Sequence, residues 1–292
     1  MKPCLRLAYK NMWPDHNPDQ LQPRDFFRGC LEQHYTVVID NHAPDVVIYS
    51  LGGGPQPGEY YSDPISIAYS GEVQDAPGPC DLTLGFHHHS DVKYKRLPLW
   101  PLYIDWDITQ VTQHPLHVYN IKNRHNQEPI RKSSFCNFTY RNPVKSRVEF
   151  FLALNQKQRV DSTGQLFNNT GRLLADKTVE LQEYRFTIAW ESSISPGYVT
   201  EKLLEPLAAG SIPIYMGGSD AVKDFNPRAF INVSDFPNLQ QAVDYITYVD
   251  SQPNLVDNYL SQPVWETPPT WPHDVFSWLY EILVEKKPYL KL

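Results

Sequence analysis

Short apolar runs alternate with helical patterns along this chain, in two sets separated by a polar stretch. In the first set a helical pattern covers residues 26–34, and the apolar runs lie at residues 5–9, 35–39, 45–51, 65–70, 82–86 and 95–99. Runs that are apolar on both faces and alternate with helices are typical of parallel sheets covered by helices. The first set therefore predicts an α/β unit.

The second set follows residues 120–132, a polar stretch without apolar period that predicts a domain boundary. Its predicted strands are residues 135–140, 186–190 and 212–216, and its predicted helices are residues 144–155, 173–184, 198–209 and 239–249. A final helix is predicted over residues 275–285. Two α/β units of similar size predict a ligand site in a cleft between them.

The charge balance argues against several classes of protein. The chain carries 26 Lys and Arg against 33 Asp and Glu, a formal net charge of −7, and its apolar runs are short. These values argue against a nucleic-acid coat, a basic membrane-surface protein and a transmembrane span. Residues 131–228 carry 13 Lys and Arg against 10 Asp and Glu, which favours an anionic ligand there unless these charges only solvate the surface.

The N-terminus and the cysteines both bear on the cellular compartment. Residues 2–7 lack the unbroken apolar stretch of an export signal. The four cysteines lie far apart without a CxxC pair, which favours reduced, mostly buried thiols over a disulfide framework or a zinc site; they are Cys4, Cys30, Cys80 and Cys136. A cytoplasmic protein is therefore expected.

The sharpest motif lies in residues 185–207. A predicted strand ends at Trp190, a polar loop follows, and a helix is predicted to begin with Thr200 as its N-cap. Glu201 in the first turn complements the helix dipole, whereas Lys202 opposes it unless an anion binds at the same helix end. Exposed backbone N–H groups together with an ammonium would bind phosphate. These residues alone leave open either a phosphate site or a solvent-exposed lysine.

Several stretches resemble the α1,3/α1,4-fucosyltransferases, in particular the bacterial members of glycosyltransferase family 10. Trp-Glu-Ser at residues 190–192 and Tyr-Val-Thr-Glu-Lys at residues 198–202 resemble that family's Phe-Glu-Asn and Tyr-x-Thr-Glu-Lys. The resemblance continues over residues 212–217, 223–236 and 135–143, and in the first half over residues 69–72, 81–86 and 96–99. Ser192 stands where the family has Asn. The contact that the Asn side-chain amide makes with the sugar donor would therefore have to come from Ser192 or from water.

The resemblance implies an α/β fold of GT-B type, with two Rossmann-like lobes facing across a cleft. We expect an N-terminal acceptor-binding lobe at residues 1–128 and a GDP-fucose-binding lobe at residues 129–270. A C-terminal helix at residues 271–292 is expected to pack back on the N-terminal lobe.

The implied reaction is inverting transfer of L-fucose from GDP-β-L-fucose to an oligosaccharide acceptor. The expected acceptor is a hydroxyl, O3 of GlcNAc or Glc, in a lactosamine-type glycan. No cofactor is required, while stimulation by a divalent cation, the oligomeric state and the α1,3 or α1,4 linkage stay open. The expected location is cytoplasmic, with a peripheral one at the inner face of a bacterial membrane as the alternative.

The resemblance also implies roles for individual residues. Glu72 matches the family's proposed catalytic base, and Arg147 and Lys202 would neutralise charge on the departing diphosphate. Tyr198 and Glu201 would grip the sugar donor. The remaining residues expected to bind the donor are Trp190, Glu191, Ser192 and Thr200.

Other motifs and functions are weaker alternatives. The Asp-Trp-Asp at residues 105–107 resembles a metal-nucleotide motif, but so short a motif recurs by chance and this one lies outside the half expected to bind the donor. The histidines at residues 87–89 are adjacent, so they point in different directions, and the cysteines offer no partner ligand. The glycines at residues 52–54 match neither a dinucleotide nor a P-loop fingerprint. Six aromatic residues predict either core or a sugar-stacking face: Tyr60, Tyr61, Tyr94, Trp100, Tyr103 and Trp106. A related GT-B transferase that uses another nucleotide sugar and a non-catalytic glycan-binding protein remain as alternative functions.

Overall fold

Each half of the chain builds its own parallel sheet in the computed structural model of the protein. The structure describes residues 2–12, 25–50, 61–73, 79–109, 112–126 and 132–292, so the glycines at residues 52–54 and Tyr60 lie outside the described residues. The chain divides into two compact units. The first unit is formed by Met1–Asp107 together with Pro269–Leu292, and the second by Ile108–Pro268.

The first sheet is parallel throughout. Its strands are β1 (Cys4–Lys10), β2 (Thr36–Ile39), β3 (Val46–Tyr49), β4 (Ile65–Ser70), β5 (Leu82–Gly85) and β6 (Tyr94–Arg96). They lie in the order β2-β1-β3-β4-β5-β6, and all neighbours pair in parallel. All four residues of β3 are buried, as expected for a strand covered on both faces.

The second sheet is also parallel. Its strands are β7 (Ser134–Phe138), β8 (Val160–Ser162), β9 (Tyr184–Trp190), β10 (Ile212–Met216) and β11 (Ile231–Asn232). Their order is β11-β10-β9-β7-β8, again with parallel neighbours. Both sheets agree with the α/β pattern predicted from the alternation of apolar runs and helices.

Some of the helices provide the crossover connections that parallel strands need, because the end of one strand and the start of the next lie at opposite edges of the sheet. The helices are α1 (Phe26–Glu32), α2 (Val118–Lys122), α3 (Lys145–Lys157), α4 (Lys177–Glu180), α5 (Glu201–Ala209), α6 (Ala221–Asp224), α7 (Leu239–Asp250), α8 (Pro253–Leu260) and α9 (Trp271–Lys286). Short 3₁₀ turns lie at Trp100–Tyr103, Arg124–Asn126, Leu181–Glu183, Pro227–Ala229, Val233–Asp235 and Pro288–Leu290. No helix in the described ranges is both long and apolar enough to cross a bilayer.

The last helix belongs to the first unit. Phe276, Leu279 and Leu283 form one stripe of α9 and are buried in the same apolar core as the first sheet. Beyond the helix, the Tyr35 hydroxyl donates to the Leu290 carbonyl at 2.7 Å. The prediction that the C-terminal helix packs back on the N-terminal lobe is confirmed.

The helix predicted over residues 173–184 is confirmed only over residues 177–183, which form α4 and the following 3₁₀ turn, whereas residues 173–176 are not helical. The Glu180 carboxylate accepts from the amides of Ala175 (2.6 Å) and Asp176 (3.3 Å), which holds the preceding residues in a loop. Asp176 then caps α4 by accepting from the Val179 amide. The side chains of Glu180 and Asp176 thus satisfy the amides that a longer helix would have used.

The boundary predicted between residues 128 and 129 differs from the boundary between the compact units, which lies between residues 107 and 108. Helix α2 precedes the predicted boundary but packs on α5 of the second unit. Its buried residues Val118 and Ile121 therefore contribute to the second unit.

The cysteines are free thiols. Cys30 and Cys136 are buried, as expected, whereas Cys4 is exposed and Cys80 is half-buried.

Candidate active site

The two central strands of the second sheet end at a topological switch point. From β7 the chain runs outward to β8 on one side and then returns to β9 on the other, so the segments that follow β7 and β9 diverge. Open parallel sheets bind ligands in the crevice outside the carboxyl ends of such strands. Tyr140 follows β7 and Glu191 follows β9, which makes this edge the first place to look for a site.

Arg147 is a buried cation at this edge. It lies in the first turn of α3, and only 2% of it is exposed. Its guanidinium donates to the carbonyls of Asn142 (3.1 Å) and Trp190 (2.8 Å) and stacks on the Tyr140 ring, with Cζ 3.9 Å from the ring centroid. Among the described residues it forms no ion pair, and its Nε has no hydrogen-bond partner. Burial lowers the pKa of Arg147, a cost that a bound anion would offset.

Glu191 is fully buried and ties the end of β9 to the start of α5. Its carboxylate accepts from the Thr200 amide (2.9 Å) and hydroxyl (2.8 Å), and the Lys202 Nζ lies 3.5 Å away. Burial raises the pKa of Glu191 to about 7, although the charge of Lys202 acts in the opposite direction. The carboxylate is therefore engaged inside the protein rather than presented to a ligand.

Gly217 leaves the space that the Glu191 side chain occupies. A Cβ at residue 217 would lie 2.6 Å from the Glu191 Cγ and 2.2 Å from the Tyr215 hydroxyl. Real Cβ atoms do not approach other heavy atoms so closely, so a larger residue would displace both side chains. The Gly217-Gly218 turn after β10 is thus part of the support of the site.

Thr200 is the N-cap of α5, as predicted, and its hydroxyl accepts from the Lys202 amide at 3.3 Å. Two of the N–H groups at this helix end already have partners within the protein. The Thr200 amide already donates to Glu191, and the Lys202 amide donates to Thr200. An anion at this helix end would meet the Lys202 ammonium instead.

Lys202 is held by carboxylates on two sides. Its Nζ donates to the Thr200 hydroxyl (3.1 Å) and to the Glu201 Oε1 (3.2 Å). Although burial acts in the opposite direction, the charges of Glu201 and Glu191 raise the pKa of Lys202. The Glu201 Oε2 is buried and has no hydrogen-bond partner among the described residues. Lys202 is thus a fixed ammonium, and Glu201 keeps one acceptor atom that a ligand hydroxyl can fill.

The aromatic residues of the motif support the site from inside. Trp190 is 1% exposed, its indole donates to the Ser146 hydroxyl at 3.2 Å, and its carbonyl holds Arg147. Tyr198 is equally buried, and its hydroxyl lies 3.0 Å from the Ser192 Oγ. Of these predicted donor-binding residues, only Ser192 is exposed. Trp190 therefore meets the site through its carbonyl, and Tyr198 through its hydroxyl.

Glu72 belongs to the first unit. It lies two residues beyond the end of β4, its side chain is exposed, and its carbonyl accepts from the Ser70 hydroxyl at 3.0 Å. Gly71 precedes it at a point where a Cβ would lie 2.5 Å from the Tyr69 hydroxyl. Glu72 thus stands at the carboxyl edge of the first sheet, the edge at which parallel sheets bind ligands.

The rival motifs take part in local turns. The Asp107 amide donates to the Asp105 Oδ1 at 3.1 Å, and the Asp91 amide donates to the His89 Nδ1 at 3.0 Å. Within the described part of the chain, no group of three or more His, Cys, Asp or Glu residues is placed to hold a metal ion. Among the described aromatic residues, Trp100 is buried and Tyr103 is 40% exposed.

The sequence reasoning missed three polar residues near this site: Tyr140, Lys177 and Glu205. The Tyr140 hydroxyl donates to the Ile188 carbonyl (2.9 Å) and accepts from the Trp190 amide (2.6 Å), so it joins β7 to β9 beneath Arg147. Lys177 on α4 forms an ion pair with Glu205 on α5. Tyr140 lies inside a family-like segment and could have been found there, whereas no motif marks Lys177.

Two family models match the chain. "Glycosyltransferase family 10 (fucosyltransferase) C-term" matches residues 129–271, and "Alpha-(1,3)-fucosyltransferase FucT N-terminal domain" matches residues 8–103. The chain belongs to glycosyltransferase family 10. The cluster around Arg147 and Lys202 lies within the first match, and Glu72 lies within the second.

Two proteins named as fucosyltransferases are similar to part or most of the chain. The "Alpha-(1,3)-fucosyltransferase FucT" of Helicobacter pylori is 27% identical over 282 residues, which cover 86% of this chain and 58% of that protein. The "Putative fucosyltransferase R654" of Acanthamoeba polyphaga mimivirus is 32% identical over 149 residues, or 47% of this chain and 25% of that protein. The chain thus spans less than two thirds of the length of these relatives.

Crystal structures of α1,3-fucosyltransferase share the fold. The structure with GDP-fucose has a TM-score of 0.77 at 24% identity and covers 98% of this chain and 92% of that chain. The structure with GDP has a TM-score of 0.76 at 25% identity and covers 99% and 92%. The α/β fold of GT-B type expected for family 10 is confirmed.

Proposed function

We propose that this protein is an inverting fucosyltransferase. It transfers L-fucose from GDP-β-L-fucose to O3 of a GlcNAc or Glc residue in a lactosamine-type glycan and forms an α-fucoside. The observation that carries the proposal is the buried Arg147 guanidinium, which forms no ion pair with a described residue. A buried cation without a charged partner is costly unless an anion binds to it.

Lys202 provides a second cation, and it is held by Glu191, the residue that follows Trp190. The Trp190 carbonyl accepts from Arg147, and the Glu191 carboxylate lies 3.5 Å from the Lys202 Nζ. A planar guanidinium and a point-like ammonium together suit the oxygens of a diphosphate. Relatives named as α-(1,3)-fucosyltransferases, and similar structures holding GDP or GDP-fucose, support GDP-fucose as the nucleotide sugar.

The proposed reaction is a single displacement at the anomeric carbon of fucose. The acceptor oxygen forms a bond to this carbon while the bond to the β-phosphate oxygen breaks, and GDP leaves with the electron pair. The fucosyl group passes through an oxocarbenium-like transition state, by analogy with inverting glycosidases. Negative charge grows on the leaving oxygen, where Arg147 and Lys202 stabilise it inside a poorly solvated site.

Glu72 is the proposed base, which takes the proton of the acceptor hydroxyl as that oxygen attacks. Its exposure at the end of β4 supports this role, because a base must reach a hydroxyl of a ligand that arrives from solvent.

The Glu201 Oε2 and the Ser192–Tyr198 hydroxyl pair are proposed to hold hydroxyls of the sugar donor. Three further residues hold the two cations in place. Thr200 and Glu191 contact Lys202, and the Trp190 carbonyl accepts from Arg147. The proposal requires no resident cofactor and no nucleic-acid partner. It includes a cytoplasmic location or a peripheral one at the inner face of a bacterial membrane.

The test is to incubate the chain with GDP-fucose and lactose, type 1 or type 2 glycans, with and without a divalent cation, and to determine the product linkage by NMR. We expect an α1,3-fucoside on the type 2 glycan. Release of GDP only from another GDP-sugar would favour a related transferase, and glycan binding without transfer would favour a binding protein.

Two variants test the assigned roles. Glu72→Gln should abolish transfer and leave GDP affinity nearly unchanged, whereas Lys202→Ala should weaken GDP binding and turnover together. Glu149→Gln, at an exposed carboxylate on α3, is the matched control and should behave as the unaltered chain. Wild-type transfer by the Glu72 variant would remove the base assignment, and normal GDP affinity of the Lys202 variant would remove its phosphate role.

A further inference from the structure

Lys177 is a cation near the candidate site that the family-like motifs do not contain. It is the first residue of α4, and its ammonium forms an ion pair with the Glu205 carboxylate on α5. The side chain of Glu205 is only 10% exposed. The start of α4 is fixed from outside, because the His114 Nε2 lies 3.1 Å from the carboxylate of its cap, Asp176. Lys177 therefore reaches α5 from a fixed position.

Lys177 and Lys202 share a group of three carboxylates. Glu201 and Glu205 lie one turn apart on α5, and Glu191 approaches the start of the same helix. Lys177 forms an ion pair with Glu205, and Lys202 forms ion pairs with Glu201 and Glu191. Although burial acts in the opposite direction, the charges of Glu205 and Glu201 raise the pKa of Lys177, which means that Lys177 interacts favourably with both.

A diphosphate must compete with the protein's own carboxylates for Lys202. The three N–H groups of this ammonium face the Thr200 hydroxyl at 3.1 Å, Glu201 at 3.2 Å and Glu191 at 3.5 Å. The stronger the negative potential of the two carboxylates on α5, the more tightly they hold Lys202 and the more they repel a phosphate. A counter-ion placed on the far side of these carboxylates would weaken both effects.

We propose that Lys177 is a positioning residue that neutralises Glu205 and part of the charge of Glu201, and so leaves Lys202 available to the diphosphate of the sugar donor. This inference rests on the proposed function. Lys177 acts through Glu205 and Glu201 and makes no contact with the nucleotide itself. Removing its charge should lower GDP affinity, and removing the charge of Glu205 should raise it.

The test measures GDP affinity by isothermal titration calorimetry for the full chain and its variants at one ionic strength. We expect Lys177→Met to weaken GDP binding about tenfold, equivalent to about 1.4 kcal/mol. Lys177→Arg should keep most of the affinity. Glu205→Gln should bind GDP more tightly than the unaltered chain, a gain that a merely structural role of the ion pair would not produce.

The double variant Lys177→Met with Glu205→Gln should recover most of the lost affinity, because it restores the charge balance. Lys157→Met is the matched control, since Lys157 pairs with Asp244 (3.2 Å) on the exposed surface of the same unit, and it should bind GDP as the unaltered chain does. Transfer kinetics should show the Lys177→Met effect mainly in KM for GDP-fucose.

Three results would overturn the inference. They are unchanged affinity in Lys177→Met, weaker binding in Glu205→Gln, and a double variant as weak as Lys177→Met, which would indicate direct contact of Lys177 with the nucleotide. The Glu205→Gln measurement decides the question if Lys177→Met does not fold. Absence of GDP binding by the unaltered chain would instead remove the proposed function, and this inference with it.

Discussion

Arg147 and Glu191 are both buried next to Trp190, but their charges are satisfied in opposite ways. The Arg147 guanidinium rests on two carbonyls and one aromatic ring, whereas the Glu191 carboxylate receives an amide, a hydroxyl and an ammonium. The carboxylate is thus complete inside the protein, while the guanidinium retains affinity for an anion. This difference separates Glu191, which supports the site, from Arg147, which we propose to bind the diphosphate.

Glu191→Gln should change how stability depends on pH. The folded-state pKa of Glu191 is raised from 4.5 to about 7, so its favourable contribution is fully present below about pH 4.5 and is lost as the pH rises through 7. We expect this residue alone to lower the free energy of unfolding by about 3 kcal/mol across that range. Glutamine can still accept from the Thr200 amide but does not ionise, so urea unfolding between pH 5 and 8 should show a flatter profile.

Glu149→Gln serves as the control for this prediction, because Glu149 is 53% exposed and should leave the profile unchanged. Identical pH profiles for the unaltered chain and Glu191→Gln would show that Glu191 does not titrate in this range.

The sequence could predict single residues where a short motif also determines the local backbone. Thr200 was identified as an N-cap because a hydroxyl residue precedes the apolar period of α5, and the structure agrees. Lys177 could not be identified, because its partner Glu205 is 28 residues away and the pairing depends on how α4 packs against α5. The hydrogen-bond partners of the amides at the start of α5 could not be predicted either, since they depend on how deeply Glu191 is buried.

Among the elements, strands with a sustained apolar run were predicted, whereas the short strands β8 and β11 were not. A buried parallel strand needs only a short apolar run between polar turns, as in β9 and β10, and both lie where predicted. The helix predicted over residues 173–184 begins only at Lys177, because the Glu180 and Asp176 carboxylates accept from the amides of Ala175 and Val179 and so compete with helical hydrogen bonds. Local patterns do not reveal such competition, because it depends on where those side chains point.

Glycine substitutions should show that the turn after β10 needs the space left by the missing side chain, whereas helix α1 does not. Gly217→Ala, in the turn after β10, places a methyl group against Glu191 and Tyr215 and should lower the free energy of unfolding by about 1–3 kcal/mol. It should also weaken GDP binding, because Glu191 and Lys202 shift together.

Gly29→Ala is the matched control for this prediction. Gly29 lies inside α1, and its added Cβ would meet no atom within 4 Å. We expect this change to raise stability by about 0.5–1 kcal/mol, because alanine loses less backbone entropy in a helix than glycine. Equal effects of the two substitutions in chemical denaturation would show that the space at Gly217 is not required.

At the scale of the whole molecule, the first unit is discontinuous in sequence. Its sheet comes from the first 107 residues, and its core is completed by α9 and the residues that follow. Tyr289 also binds the carboxylate of Asp45 at 2.6 Å, and Asp45 in turn pairs with Arg6 at 2.7 Å. The end of the chain is therefore as much a part of this unit as its first strand.

Removal of residues 271–292 should unfold the first unit and leave the second folded. Leu283 is 0% exposed in the shared core, so the single change Leu283→Ala should already cost about 2–5 kcal/mol. Hydrogen exchange should show loss of protection for amides of β1 and β3 in the truncated chain, while amides of β9 and β10 stay protected. Unchanged protection of β1 would show that the first sheet does not depend on its C-terminal helix.

The split first unit has a consequence for the order in which the protein folds during synthesis. A ribosome releases β1 to β6 before the continuous second unit and α9 after it. The second unit can complete its core as soon as residue 268 has emerged, whereas the first sheet must wait for α9 with part of its apolar surface uncovered. The first sheet is thus made before the second unit but is completed after it, and this incomplete sheet is where we expect the nascent chain to depend most on chaperones.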